Sequence, residues 1–510
     1  MSVGHVVLIG AGPGDPGLIT WRGIQALGSA DVVLYDYLSA DELLEHASPD
    51  AERIYVGKQA GHHSLGQQEI NQLLVDLAQQ GKRVVRLKGG DPFLFGRGGE
   101  ECLALDSAGV PFEVIPGISS ALAVPAYAGI PVTHRGLSSS LAIITGHEDP
   151  SKEESALDWS ALARIDTLVV LMGVGNLPVI VERLQEAGRK DDTPVAVIQC
   201  GTRGRQRTVV GTLADIDARV QAAGLGPPAI IVLGEVVRLR DALGWFDRLP
   251  LQGLRVLVTR TREQTSKLSV ALRALGAEPV ECPLIQVVPP ASWESMDRAV
   301  RTLDRYSWVV WTSANGVATF FERLAAAGLD ARALAGCRLA VIGSATAASL
   351  EAHGLCADLV PEGYTGESLA HTMLSALDLR GQAILVARSA IARPVLVDLL
   401  KQAGALVDDV PAYDTVMPTG LAENLERALS DVDVVTFTSS SAVRHLVDAM
   451  RCDGETGNLQ GHVLACIGPV TADALRDYGL EPDIVAETHT ISGLAEALVA
   501  WRADNKGKGA

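Results

Sequence analysis

Short runs of β-branched and leucine residues recur along this chain, each closing on a glycine-rich turn and then giving way to an amphipathic stretch. Val6-Val7-Leu8-Ile9 runs into GAGPGDPG, and Arg83 to Leu87 runs into GGDPFLFGRGGEE. Leu168 to Met172 meets Gly173, and Ile230 to Leu233 meets Gly234. Strands alternating with helices predict layered α/β domains. The rhythm breaks near Leu243 to Gly253, where GWFDRLPLQG carries Pro250 and Gly253 and a fresh strand, Arg255 to Val258, follows. Beyond that seam the pattern repeats itself. RVLVTR (Arg255 to Arg260) returns as AILVAR (Ala383 to Arg388), and VVWTSANGV (Val309 to Val317) returns as VTFTSSSAV (Val435 to Val443). AVIGSATAASLEAHGL (Ala340 to Leu355) returns as ACIGPVTADALRDYGL (Ala465 to Leu480). Three pairs in one order and at nearly one offset predict two similar lobes with a cleft between them, since such a repeat is too long for a solenoid unit.

Composition narrows the classes. At 510 residues the chain is too long for one core and suggests three or four domains at ~150 residues each. A formal net charge of -18 argues against a general nucleic-acid binder. It leaves open an anionic small ligand, which responds to the basic residues gathered in its cleft. Cys102, Cys200, Cys282, Cys337, Cys356, Cys452 and Cys466 form no CxxC pair, so neither a zinc site nor a disulfide framework is expected. The opening apolar run is short for an export signal and lacks a basic lead-in, and no stretch reaches the ~18 apolar residues of a membrane span. A cytoplasmic location is the expectation. Only the tail 503–510 reads as flexible.

The first turn, Gly10-Ala11-Gly12-Pro13-Gly14-Asp15-Pro16-Gly17, lets a ligand approach backbone closely because no Cβ intervenes. A dinucleotide fingerprint fits it badly: Asp15 stands where the third glycine belongs, and Pro13 and Pro16 lack the N–H groups that would cradle a pyrophosphate. A Rossmann-type oxidoreductase is nevertheless the rival enzyme reading. Further turns at Gly89-Gly90-Asp91-Pro92, at Pro116 to Ser120 and at Gly129 to Arg135 suit the rim of the same cleft. The adjacent histidines His62 and His63 have no carboxylate or cysteine at ligand spacing, so no metal is expected.

GAGPGDPGLIT, YDYLS, VGKQAGHH, RLKGGDPFLFGRGGEE, VIPGISS, GIPVTHR, TGH and LMG occur in an order and at spacings that resemble uroporphyrinogen-III C-methyltransferases, over roughly residues 4 to 245. That resemblance implies a tetrapyrrole-methylase fold of two α/β domains, about 1–116 and 117–245, with S-adenosyl-L-methionine bound between them and S-adenosyl-L-homocysteine released. It implies donor contacts, mostly from backbone, at Pro13, Gly89, Gly90, Asp91, Leu94, Ser119, Ser120, Met172, Gly201 and Ala229. Ser119-Ser120 stands where the family usually shows Thr-Ala. By the same carry-over Asp36 is the proton acceptor and Lys58 the proton donor. Arg97, His134 and Arg135 are candidates for holding substrate carboxylates. A homodimer through this half is a further implication.

The second half offers hydroxyls at strand ends, Thr312-Ser313, Ser344, Thr346, Thr438-Ser439-Ser440 and Thr471, which suit hydrogen bonding of carboxylates and would look the same as plain helix caps. VTRTREQ, VVWTSANGV, AVIGSATA, PAYDT and CIGPVTADAL resemble uroporphyrinogen-III synthases over about 254 to 500. The resemblance implies two interlocked lobes, about 254–288 with 416–502 and 289–415, after a linker at 246–253. It implies closure of hydroxymethylbilane, with Tyr413 as proton donor and Thr312, Ser313, Thr438, Ser439 and Thr471 toward substrate. Ala387-Arg388-Ser389 stands where an Arg-Gly pair is more usual. One polypeptide would then run from hydroxymethylbilane through uroporphyrinogen III to precorrin-2, toward sirohaem or cobalamin, with no nucleic-acid or membrane partner. A rival of another class makes the second half a non-catalytic tetrapyrrole-binding module.

Overall fold

The computed structural model describes residues 3–36, 41–57, 65–147, 156–259, 262–361, 363, 365–418, 420–451, 459 and 461–505. Four five-stranded sheets organise them. The first holds β1 (His5–Gly10), β2 (Val32–Tyr35), β3 (Glu52–Tyr55), β4 (Arg83–Lys88) and β5 (Phe112–Ile115) in the order β3-β2-β4-β1-β5, all parallel. Its inner strands carry unbroken apolar runs, Val6 to Ile9 and Val32 to Leu34, because both faces are covered. Val6, Leu8, Val32 and Leu34 pack on one side with Leu74 and Leu105; Ile9, Val33, Val85 and Leu87 pack on the other with Leu27 and Leu43.

The second sheet holds β6 (Leu141–Thr145), β7 (Thr167–Leu171), β8 (Pro194–Gln199), β9 (Arg207–Thr212) and β10 (Ala229–Leu233) in the order β6-β7-β10-β8-β9, with only β6 and β7 parallel. Such mixed pairing lets short connections reach several strands from one side.

In the second half, β11 (Arg255–Val258) and β12 (Glu278–Glu281) join β18 (Val434–Phe437), β19 (Val463–Cys466) and β20 (Ile484–Val485) in a parallel sheet. The intervening strands β13 (Gln286–Val288), β14 (Trp308–Trp311), β15 (Arg338–Val341), β16 (Ala383–Ser389) and β17 (Leu406–Val416) make the other sheet. The second half's first two strands and its last third therefore share one lobe. Gln286–Val288, expected with the outer lobe, pairs antiparallel with Asp414–Val416 of the middle one, so the crossing lies before Gln286.

The segment expected as a linker is packed. Phe246 is buried against Tyr127, with ring centroids 5.0 Å apart, and Leu251 lies in the core with Val256 and Leu268. Gly253 donates to the Gly204 carbonyl at 2.9 Å, and the Gln252 amide donates to the Gln206 carbonyl at 2.8 Å. The two halves meet directly. Among the described residues no helix is long and apolar enough to cross a membrane.

Candidate functional site: a cleft between two sheets and a seam between two halves

The ends of β1, β4 and β5 converge so closely that Gly10 and Gly117 leave no room for a side chain. A Cβ on Gly117 would stand 2.2 Å from the Gly90 oxygen, and one on Gly10 would stand 2.4 Å from the Gly117 Cα. Gly12 and Gly90 bridge through paired backbone hydrogen bonds of 3.2 and 2.7 Å. Gly90, at φ +67, has nothing within 4 Å of its Cβ position, so it faces open space. The result is a rim of bare backbone at the carboxyl ends of parallel strands, where open α/β sheets present ligand sites.

Asp91 fastens this rim. Its carboxylate accepts from the Phe93 and Leu94 amides at 2.8 and 3.1 Å and from the Gly117 amide at 3.1 Å. Asp91 thus ties two turns together, and its contribution to a ligand would come from backbone. Opposite, Cys200 and Thr202 hold positive φ of 49° and 68°, flanking Gly201. The Asp15 amide donates to Thr202 Oγ1 at 3.1 Å, and the Tyr127 hydroxyl donates to Asp15 at 2.7 Å, locking this loop to the first turn. Met172 also has positive φ, 56°, and is exposed.

All ten donor-contact candidates, from Pro13 to Ala229, line one cavity of about 1950 Å³, and Asp36 and Arg97 line it too. Ser119 caps the helix Ser120–Tyr127, its Oγ accepting from the Ala121 amide at 3.2 Å. The Arg97 guanidinium is already engaged by Glu100 through bonds of 2.8 and 2.7 Å. His134 and Arg135 are exposed on a turn, where His134 Nδ1 lies 2.9 Å from the Arg135 oxygen, and neither lines the cavity. Lys58 lies outside the described residues.

Sequence reasoning missed the charges beneath Asp36. Arg86 and Lys88, two apart on β4, project to one side of the sheet. Arg86 Nη2 reaches Asp36 Oδ2 at 3.2 Å, while Lys88 Nζ and Arg86 Nε reach Glu101 Oε1 at 2.7 and 3.4 Å. Gln67 adds a bond of 3.2 Å to the same oxygen, leaving Oε2 of the fully buried Glu101 without a hydrogen bond. Burial lowers the Lys88 pKa and Arg86 lowers it further, against the opposing pull of Glu101. The available signal was the two-residue spacing of Arg86 and Lys88 beyond the apolar pair Val84-Val85 in β4.

In the second half, Ser313 Oγ and Tyr413 Oη lie 3.0 Å apart. Burial raises the pKa of the Tyr413 phenol, and Ser313 opposes that rise. Ser313 caps the helix Ala314–Ala326, accepting from the Gly316 amide at 3.1 Å, and Ser439 accepts likewise from the Ala442 amide at 3.2 Å. Thr312 flanks Ser313, half-buried; Thr438 and Thr471 are buried on the other lobe, with Thr438 Oγ1 lacking a hydrogen-bond partner. Arg388 is buried and committed to Asp409 by bonds of 2.7 and 2.6 Å.

A glycine-rimmed cleft between a parallel and a mixed sheet, followed by two lobes whose strands interlock, defines a two-unit α/β protein with a ligand cleft in its first unit. Residues 5–217 match the Tetrapyrrole (Corrin/Porphyrin) Methylases, and residues 266–496 match Uroporphyrinogen-III synthase HemD. The porphyrin biosynthesis protein HemD of Ruminiclostridium josui is 39% identical over 502 residues, covering 98% of both chains. The S-adenosyl-L-methionine-dependent uroporphyrinogen III methyltransferase of Methanosarcina barkeri is 54% identical over 244 residues, 48% of this chain and 96% of that one. The siroheme synthase of Azotobacter vinelandii is 54% identical over 248 residues, 48% of this chain and 53% of that one. The chain belongs to the fused family that joins a tetrapyrrole methylase to a uroporphyrinogen-III synthase.

Proposed function

We propose that this chain closes hydroxymethylbilane to uroporphyrinogen III and methylates that product twice with S-adenosyl-L-methionine, giving precorrin-2 for sirohaem or cobalamin. The observation that carries the reading is the meeting of the Gly90 rim, the Gly201 loop and Asp36 on one cavity, in a chain that matches a fused relative along its length. The rim fits a nucleoside thioether: backbone is exposed at Gly90, and Leu171 and Ile198 offer apolar surface beside Ser119 and Ser120. When bound, the donor supplies an activated methyl group. The protein's task is alignment and proton handling, since an electron-rich pyrrole carbon attacks that methyl and the resulting cation must then lose a proton from elsewhere on the macrocycle. Asp36 stands on the cavity, oriented by Arg86, as the acceptor for that proton.

In the second half the Tyr413 hydroxyl, beside Ser313, carries the proton for the departing hydroxyl of the linear tetrapyrrole. Water leaves, a stabilised cation remains, and ring closure returns the electrons by loss of a ring proton. The test incubates the full chain with hydroxymethylbilane and labelled donor and weighs the product. A doubly methylated type III tetrapyrrole is expected. Uroporphyrinogen I alone would remove the synthase assignment and favour a tetrapyrrole-binding module, and unlabelled uroporphyrinogen III would remove the methyltransferase assignment.

A further inference from the structure

The cavity does not end with the first half. Its far wall is built by the second: the end of β12 and the outer face of the helix Leu421–Leu429. That helix buries Leu421, Leu425 and Leu429, a spacing that turns Asn424, Arg427 and Ala428 toward the cavity. The two halves are held in register here. The Arg205 amide donates to Glu278 at 3.2 Å, Arg273 pairs with Glu42 at 2.6 Å, and a Cβ on Gly204 would stand 2.4 Å from the Glu278 nitrogen.

Charge is distributed unevenly over this wall. Arg255 pairs with Asp431 and lies 3.9 Å from Glu278; Arg205 lies 3.5 Å from the same Glu278. Arg97 is spent on Glu100. Arg203 and Arg427 line the cavity and, among the described residues, neither has a carboxylate within ion-pair distance. Arg203 is half-buried, its Nε 3.0 Å from the Cβ position of Gly14 in the first glycine turn, and Arg427 is exposed on its helix. In a chain with net charge -18, two guanidinium groups without counter-ions on one cavity are an attractive site for carboxylates.

We propose that Arg203 of the first half and Arg427 of the second form a carboxylate-binding subsite on the seam, which holds acidic arms of a tetrapyrrole entering the methylation cleft. The inference rests on the function proposed above and adds that the synthase half completes the methyltransferase's substrate site. Neither residue touches reacting atoms in this scheme; they bind substrate.

The test uses the full chain and supplies uroporphyrinogen III directly, so that the synthase step is bypassed. Arg427→Glu should raise the methylation KM about tenfold or more, as loss of one charge-assisted contact does. The kcat, the affinity for S-adenosyl-L-homocysteine and the turnover of hydroxymethylbilane should stay as in the wild type. Arg427→Lys should recover most of the KM, and Arg203→Glu should shift it in the same direction. Arg427→Gln, milder on an exposed helix face, gives an intermediate KM and guards against a folding defect. Wild-type KM in Arg427→Glu overturns the subsite while leaving the proposed function intact. Absence of methylation by the wild type overturns both.

Discussion

Gly201 offers a steric test of the cleft. A Cβ built there would stand 2.2 and 2.6 Å from the Val124 methyl carbons and 2.8 Å from the Val124 Cβ. Carbon atoms normally rest about 3.5–4.0 Å apart, so Gly201→Ala creates an overlap that something must relieve. Val124 cannot swing away easily, because it is buried in the helix Ser120–Tyr127 and packed among Leu171, Ile198 and Ile230. The loop must yield instead, although Cys200 and Thr202 already occupy positive φ. Overpacking of this kind costs about 1–3 kcal/mol. If the cost falls on the donor-binding form of the loop, affinity for S-adenosyl-L-homocysteine drops by roughly 5–150-fold. Val124→Ala removes both methyl carbons and by itself costs about 1–3 kcal/mol of stability. Combined, the two changes should cost less than their sum by about 0.5–3 kcal/mol. Rescue should be incomplete, since the remaining Cβ contact of 2.8 Å is still tight. Calorimetric titration and thermal unfolding of the four proteins decide the matter. A strictly additive double variant would refute the clash, and unchanged binding in Gly201→Ala would remove the loop from the donor site.

Glu101→Ala should destabilise the fold by about 3–5 kcal/mol in denaturant titration, because Arg86 and Lys88 would be left buried without their shared anion. Since burial places the folded-state Lys88 pKa below its unfolded value, the unfolded chain binds more protons between the two, and the deficit should shrink as pH rises toward the ordinary lysine range. Asp36→Asn should slow methylation by on the order of 10²-fold while S-adenosyl-L-homocysteine binds as before; full turnover would return Asp36 to a structural role. Tyr413→Phe should slow conversion of hydroxymethylbilane by about a hundredfold. Because burial raises the Tyr413 pKa, the wild-type rate should show no loss from phenol deprotonation below about pH 10, and the stability carried by the protonated phenol should be lost only above that point.

Much of the layered fold was readable because inner strands covered on both faces carry unbroken apolar runs. Val6 to Ile9 and Ile230 to Leu233 advertise themselves in this way, and the glycines that follow are required by backbones too close for a Cβ. The duplication announced two lobes for the same reason. Gln286–Val288 escaped because a three-residue strand carries no periodicity, and its partner Asp414–Val416 is remote in sequence. The charges failed for a different physical reason. Arg86 and Lys88 follow the apolar pair Val84-Val85 in β4, and their meaning depends on Glu101, delivered to the face they share by the helix Gly98–Ser107. Arg97 read as a free carboxylate ligand because its neighbour Glu100 could equally have faced solvent; the helix start folds the two together. His134 read as a cleft residue because its motif lies beside one, yet the turn carries it outward. Hydrophobic pattern reports which face of an element is covered, whereas a cation's role is set by whether an anion arrives in space. Arg203 and Arg427 show the converse, since nothing local distinguishes them from any other surface arginine. Only the docking of Gly204 against Glu278 places them on a common cavity, and only the pairing of their neighbours leaves these two uncommitted.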